Sequence, residues 1–525
     1  MLRPFRATHL SRVALLRAAN ALAPINILPR EVLVDVFSIL AASPPPDEDE
    51  DQRWQEPDGD LKWLAVTEVC HHWYDIARHT PTLWQVIDVY TNVEWLKLCF
   101  ERSVDVPLDI RFHDRDAAED AQDIVIRHAS RISKLYVLPG EDCSSLGWLH
   151  YLRKIPLPLL KEFNVVGGPG LRVDRTCHPA LEIFRAATSD VAWNSIPVEH
   201  LRVLDLEMSM PSFKDRVPNL DAFLRILGSF QKLEYLDLNF SIPVGDLLAA
   251  RQPGYWDSSL LIHLPRLHKL RFSSNHSSHV ECDVLAVLSH LRLARSTSVD
   301  IWMGLEDFEN FRGLPGLLPQ DSNNFPFLLD ATSASIHHGT QKVVFTVRVD
   351  SGATLSVRYE MVAGGLMKDA YSPDDALFHL CTLFSKAQIT RLNIPCPARR
   401  ETFVGAFRTL SGLQLLTVSL GGRKRDLVRF LPALSADSGR YDGGVVLPAL
   451  RGLDLTQVSW KETMLEDLAN CLRTRAARNA AKLSVLRIEV APGKNVPNDE
   501  DLEDMLDELA PFVEDYGHLE CHNGL

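Results

Sequence analysis

The chain has 525 residues, 46% of them hydrophobic, enough to bury a large core. Its formal net charge of −14 is local: 43–60 contributes −7 and 498–515 contributes −9, which leaves the rest at +2. That balance excludes a broad basic footprint for nucleic acid. Nine cysteines lie scattered, with no Cys-x-x-Cys, so neither a disulfide framework nor a zinc site is expected. This usage fits a reducing cytosol or nucleus. No run of 18 apolar residues occurs, so no membrane span is expected.

The first 30 residues contain Arg3, Arg6, Arg12, Arg17 and Arg30 and no acid. Organellar presequences share that composition. The preferred reading is a short helix over Ser11–Ala21, because it runs directly into the next segment. No signal peptide is expected. Ala23–Leu33 then reads Ala-Pro-Ile-Asn-Ile-Leu-Pro-Arg-Glu-Val-Leu. Pro29 suits the first helical position, and Glu31 the first turn, where the helix dipole favours an anion. Val32, Leu33, Val36, Phe37 and Leu40 follow at helical spacing as one apolar stripe. A second helix repeats the pattern with Val66, Val69, Cys70, Trp73, Ile76 and Ala77. Thr80-Pro81 predicts the cap and first position of a third, short helix that closes on Leu83-Trp84. Between the first two helices lies Ser43–Asp60, an 18-residue insertion of Pro-Pro-Pro followed by Asp-Glu-Asp-Glu-Asp.

On these residues the stretch resembles an F-box. The shared pieces are an Ile/Leu-Leu-Pro-x-Glu opening, an apolar first helix, a Val-Cys-x-x-Trp second helix and a Pro-x-Leu-Trp close. The stretch is similar to the large fungal F-box families. The resemblance implies a module that docks on a Skp-type adaptor, and through it a cullin, while the rest of the chain holds a protein substrate. Carried over residue by residue, the docking set is Leu28, Pro29, Glu31, Val32, Leu33, Val36, Phe37, Leu40, Val66, Val69 and Trp73. Some of these must form the module's own core, and the sequence does not divide them. The insertion departs from the compact family pattern, but a loop lengthens at small entropic cost.

Beyond Trp84, Asn92–Arg102 predicts a helix with Val93, Leu96 and Phe100 on one side, and Val106–Phe112 alternates as a strand. A Leu-x-x-Leu-x-Leu-like unit then recurs. It appears at Ile132-Leu135-Val137, Leu160-Phe163-Val165, Leu181-Phe184-Ala186, Leu201-Leu204-Leu206, Leu233-Leu236-Leu238 and Leu267-Leu270-Phe272. After a gap it returns at Ile389-Leu392-Ile394, Leu413-Leu416-Val418, Leu450-Leu453-Leu455 and Leu483-Leu486-Ile488. The intervals are 28, 21, 20, 32 and 34 residues, then 24, 37 and 33. This resembles leucine-rich repeats with a ragged period: one short parallel strand per unit and a helical or irregular return. Phe223-Leu224-Ile226-Leu227 and Leu285-Val287-Leu288-Leu291 fit such returns. The repeat's usual Asn is matched only at Asn275.

Within the gap, Gly304–Asn324 reads as a loop. Lys342–Asp350 and Thr354–Met361 alternate strictly around Ser351-Gly352, which predicts a β-hairpin with one buried face. Asp499–Leu509, capped by Asn498, predicts a terminal acidic helix. The fold class is therefore α/β. The expected order is an arm (1–22), a three-helix F-box (23–89), an irregular leucine-rich-repeat solenoid (90–496) and an acidic capping helix with a tail (497–525).

No catalytic, cofactor or metal site is expected. Motifs for nucleophile elbows, zincins, dinucleotide folds and phosphate loops do not occur. Val166-Gly167-Gly168-Pro169-Gly170 reads as a turn, and His71-His72 as surface residues of the second helix. His518, Cys521 and His522 lack a fourth ligand and fall in a tail. Arg423-Lys424-Arg425 with Arg429 makes a local basic patch, read as a solvated turn. The leading function is a non-catalytic substrate receptor, cytoplasmic or nuclear. The alternative is a leucine-rich scaffold whose F-box-like segment only caps the solenoid. A docking module leaves an apolar stripe bare, whereas a cap buries it.

Overall fold

The computed structural model describes residues 4–41, 61–90, 92–137, 155–166, 173–187, 193–207, 220–239, 260–274, 280–305, 311–361, 367, 371–395, 398–420, 424–439, 444–458, 462–490, 507–514 and 519–523. The acidic segment 43–60, the glycine run 167–170 and Asn275 lie outside the described residues. The chain divides into two compact units, Met1–Arg216 and Val217–Leu525.

In the first unit, the helical module Arg30–Trp84 leads directly into a sheet. Its strands are β1 (Val86–Val89), β2 (Leu108–Phe112), β3 (Ile132–Val137), β4 (Glu162–Val166), β5 (Ile183–Ala187) and β6 (Val203–Glu207). They lie in chain order and all pair in parallel. Period-two alternation explains the arrangement. Ile110, Leu135, Phe163, Phe184 and Leu204 are partners across successive strands, and all are buried. The predicted helix after β1 runs Val93–Arg102, with Asn92 as its cap: Asn92 Oδ1 accepts from the amides of Glu94 at 3.0 Å and Trp95 at 3.2 Å. The predicted strand over Val106–Phe112 starts at Leu108, because Val106 belongs to the preceding turn. There its carbonyl accepts from Arg131 at 3.0 Å.

The second unit repeats the scheme with β7 (Tyr235–Asn239), β8 (Lys269–Ser274), β9 (Ser298–Leu305), β10 (Ala331–His338), β11 (Lys342–Val349) and β12 (Thr354–Met361). It continues with β13 (Arg391–Pro395), β14 (Leu415–Ser419), β15 (Gly452–Val458), β16 (Val485–Val490) and β17 (Leu519–Asn523). The spatial order is β7-β8-β9-β12-β11-β10-β13-β14-β15-β16-β17. Every neighbour pair is parallel except those of β11, which runs against both β12 and β10. The predicted hairpin is thus present, with Val343, Phe345, Val347, Leu355, Val357 and Tyr359 buried. It does not leave the sheet. It lies in line with the parallel strands, because β9 and β10 lengthen to eight residues and flank it. Returns are helical: Leu220–Gly228, Val280–Ser289, Pro373–Leu383, Arg400–Thr409, Lys424–Leu434 and Glu462–Ala477.

Two expectations are corrected, and a third is described only in part. Gly304 is a strand residue, and the loop predicted over Gly304–Asn324 contains the short helix Leu314–Leu317. The backbone of 519–523 is not a free tail but pairs with β16. Of the predicted helix Asp499–Leu509, only 507–509 is described; it is helical, and Leu509 is buried.

One buried cation holds helix Glu462–Ala477 of the second unit. Arg475 is 3% exposed and donates to the carbonyls of Leu434 at 2.8 Å, Val446 at 2.9 Å and Leu447 at 2.9 Å. Burial brings its pKa down to about 10, so it stays charged at neutral pH. Arg475→Leu strips three buried carbonyls of their donor and should cost about 3 kcal/mol, read as a lower thermal midpoint. In the first unit His178 is buried, and desolvation pushes its pKa below the usual imidazole range against the pull of Asp174. The unfolded chain therefore takes up the proton first as pH falls below about 6.5. Stability is full above that pH and drops on acidification toward pH 5. His178→Gln should flatten that slope in denaturant titrations at the two pH values.

Candidate functional site

Helix Arg30–Ala41 carries the candidate surface. It starts one residue later than the proline spacing predicts. Pro29 precedes the first turn, and its carbonyl accepts from the amides of Val32 at 3.1 Å and Leu33 at 3.2 Å. Glu31 lies exposed in the first turn, where the helix dipole favours it. Arg30 Nη2 donates to the His79 carbonyl at 3.3 Å and ties this end to the neighbouring helix.

The five apolar residues form two adjacent stripes rather than one. Leu33 and Phe37 are fully buried. Val32, Val36 and Leu40 turn outward, at 41%, 37% and 56% exposed, and Ile39 joins them at 73%. Leu28 and Pro29 continue the open side toward the N-terminus. Leu33, Phe37 and Val66 therefore face their own module and cannot meet a partner in this conformation. Val69 is exposed, and Trp73 is half-buried.

The second predicted helix is two. Val66–Val69 and His71–Arg78 are separated by Cys70, whose backbone is extended at φ −160° and ψ 166°. The helical period restarts there, so Val66, Val69 and Trp73 do not share one face. His71 and His72 are exposed at the start of the later helix. Thr80 does not cap the closing turn Pro81–Trp84 with its side chain. Its hydroxyl donates backward to the Ile76 carbonyl at 2.6 Å.

Trp73 joins the pieces. Its ring lies 5.0 Å from that of Phe37. Its Nε1 donates to Asn26 Oδ1 at 2.5 Å, and Asn26 Nδ2 donates to the Asn20 carbonyl at 2.7 Å. Trp84, fully buried, donates to the Ala77 carbonyl at 2.8 Å and packs against Trp63 at 5.1 Å and Trp95 at 5.8 Å. The module's core thereby continues into helix Val93–Arg102.

Sequence reasoning missed Ile25, Ile27 and Ile39, all exposed. Ile39 was available, since it follows Val32 by seven residues and Val36 by three. Ile25 and Ile27 sit in a single 3₁₀ turn, Pro24–Ile27, which has no period to read.

The polar face of the first sheet is the other chemical feature of this unit. Asp88 lies 3.0 Å from His113 Nε2 and 4.0 Å from Arg111, which is 3.5 Å from Asp109. Glu162 meets Lys134 at 3.5 Å and Arg185 at 2.9 Å, and Arg185 reaches Asp205 at 3.9 Å. Burial pushes the Asp109 carboxyl above its usual range, with Arg111 opposing. These charges are largely occupied with each other.

Among the described residues no group of three or more His, Cys, Asp or Glu converges as a metal site, and no helix is long and apolar enough to cross a membrane. His518 and Arg423 lie outside the described residues, as do the side chains of Cys521, His522, Lys424 and Arg425. Arg429 is exposed on helix Lys424–Leu434, where a turn was predicted to start.

In a comparison with known families, residues 25–89 match the family described as F-box-like. No curated protein matches the chain significantly. Trp73→Phe keeps the ring against Phe37 and removes the donor to Asn26. It should cost about 1–2 kcal/mol in chemical denaturation and speed amide exchange over 20–28.

Proposed function

We propose that the F-box-like domain of this chain docks a Skp-type adaptor through the outer face of helix Arg30–Ala41. Through that adaptor the chain joins a cullin and acts as the substrate receptor of a ubiquitin ligase. It performs no chemistry; it raises the local concentration of a protein substrate beside a ubiquitin-loaded enzyme. A cytosolic or nuclear setting belongs to this reading and is supported by the scattered, motif-free cysteines.

The observation that carries this reading is the bare apolar face. Leu28, Val32, Val36, Ile39, Leu40 and Val69 stay exposed although Leu33, Phe37 and Val66 beside them are buried. A contiguous apolar patch on a folded module marks an interaction site.

The repeated units are read as a leucine-rich-repeat-like solenoid that presents the substrate-binding surface. In support, all ten triplets are buried and fall on or just before parallel strands. The second reading, a scaffold whose helical module only caps the sheet, draws on one observation: Val86–Val89 pairs with Leu108–Phe112, so module and sheet are one piece. It leaves the exposed face without a role.

The test is titration of the full chain with a Skp-type adaptor. Val36→Asp with Leu40→Asp should weaken binding at least a hundredfold and leave the circular dichroism spectrum unchanged, since both side chains point outward. Undiminished binding by that variant would sink the reading.

A further inference from the structure

We infer that the docking surface extends beyond the matched domain onto the N-terminal helix Pro4–Ala21, and that the same Skp-type adaptor covers both. The inference rests on the function proposed above.

Between Arg12 and Leu22 every residue is exposed except the half-buried Val13. Leu15, Leu16 and Leu22 are 72%, 57% and 79% exposed. Leu15 and Ala19 recur at i and i+4 on one face, and Leu22 follows just past the helix end. The helix contains no acid, so no internal ion pairs support it. From Arg12 to Ala21 the helix buries no side chain fully, and a helical stretch without a packed face is marginal in water. Its stability calls for a partner surface.

Its inner end is nevertheless fixed. The amides of Leu22 and Ala23 donate to the carbonyls of Ala19 at 3.2 Å and Asn20 at 3.0 Å. Asn26 donates to the same Asn20 carbonyl at 2.7 Å, and Trp73 in turn donates to Asn26. The exposed apolar residues then run on through Leu22, Ile25, Ile27 and Leu28 to Val32 and Val36. This continuity names the occupant: a body seated on Leu28 and Val32 meets Ile25 and Leu22 next. Arg12 and Arg17 are exposed beside these leucines, with no acid on the helix. The adjoining adaptor surface is therefore apolar with acidic residues beside it.

The test uses the full chain and a Skp-type adaptor, with Leu15→Gln/Leu16→Gln and Arg12→Gln/Arg17→Gln. Glutamine keeps helix propensity, so a loss reads the contact and not an unwound helix. The leucine pair should weaken binding about tenfold. The arginine pair should lower affinity at low salt and flatten its salt dependence. Unchanged affinity in both, with Val36→Asp/Leu40→Asp still defective, overturns the inference and leaves the proposed function standing. Unchanged adaptor affinity together with leucine-dependent binding to phosphatidylserine vesicles overturns it in favour of a lipid surface. No binding by the unaltered chain overturns both.

Discussion

Both sheets depend on register. A parallel strand buries one face only if its neighbours present apolar residues at the same level. A slip of one residue would turn the whole set outward. In the first unit Leu135, Phe163, Phe184 and Leu204 stand opposite one another, with the Phe163 and Phe184 rings 6.0 Å apart. The opposite face obeys the same register, which sets Arg185 between Glu162 and Asp205. A slip there would lose the apolar contacts and also bury the arginine. The polar ladder thus specifies alignment even where its pairs add little net stability.

The inserted strands of the second unit satisfy the same constraint by another route. The hairpin β11–β12 has an antiparallel internal register, yet β12 must meet β9 in parallel. Val299, Ile301 and Met303 of β9 pair with Leu355, Val357 and Tyr359 of β12, apolar to apolar. On the far side β10 re-establishes the parallel direction against β13. Three strands are therefore needed: two to make the hairpin and one to restore the direction for the units that follow.

What could be read from the sequence follows from these rules. The ten triplets and the hairpin alternation were visible because a buried strand face leaves a period of two, and all ten triplets are buried. β10 was not, because Ala331–His338 reads Ala-Thr-Ser-Ala-Ser-Ile-His-His, whose buried residues are two alanines and a single isoleucine. The break at Cys70 was also hidden: Val66, Val69 and Trp73 fit one helical period on paper, and only the extended backbone at Cys70 separates them. On helix Arg30–Ala41 the residue types were right, but valine and leucine serve equally as core and as contact surface. Neither composition nor spacing distinguishes Leu33 from Val32. The division comes from where Trp73 and the turn Pro81–Trp84 pack, which is tertiary information.

The two parts of the exposed surface differ in how far they are set before any partner arrives. Helix Arg30–Ala41 is held on its inner side by Leu33 and Phe37 and at its start by the Arg30–His79 contact. Its outer face is preformed, and little ordering entropy opposes docking there. Among the described residues, helix Pro4–Ala21 is tied at Asn20 and, just past its end, at Ala23, both through Asn26. Whatever it contacts must offset the freedom of nearly five turns. A partner therefore seats first on the fixed helix and gathers the N-terminal helix afterward. The Asn20–Asn26–Trp73 chain keeps that second step local: it places Leu22 beside Ile25 before contact, so only the helix beyond Asn20 has to be ordered.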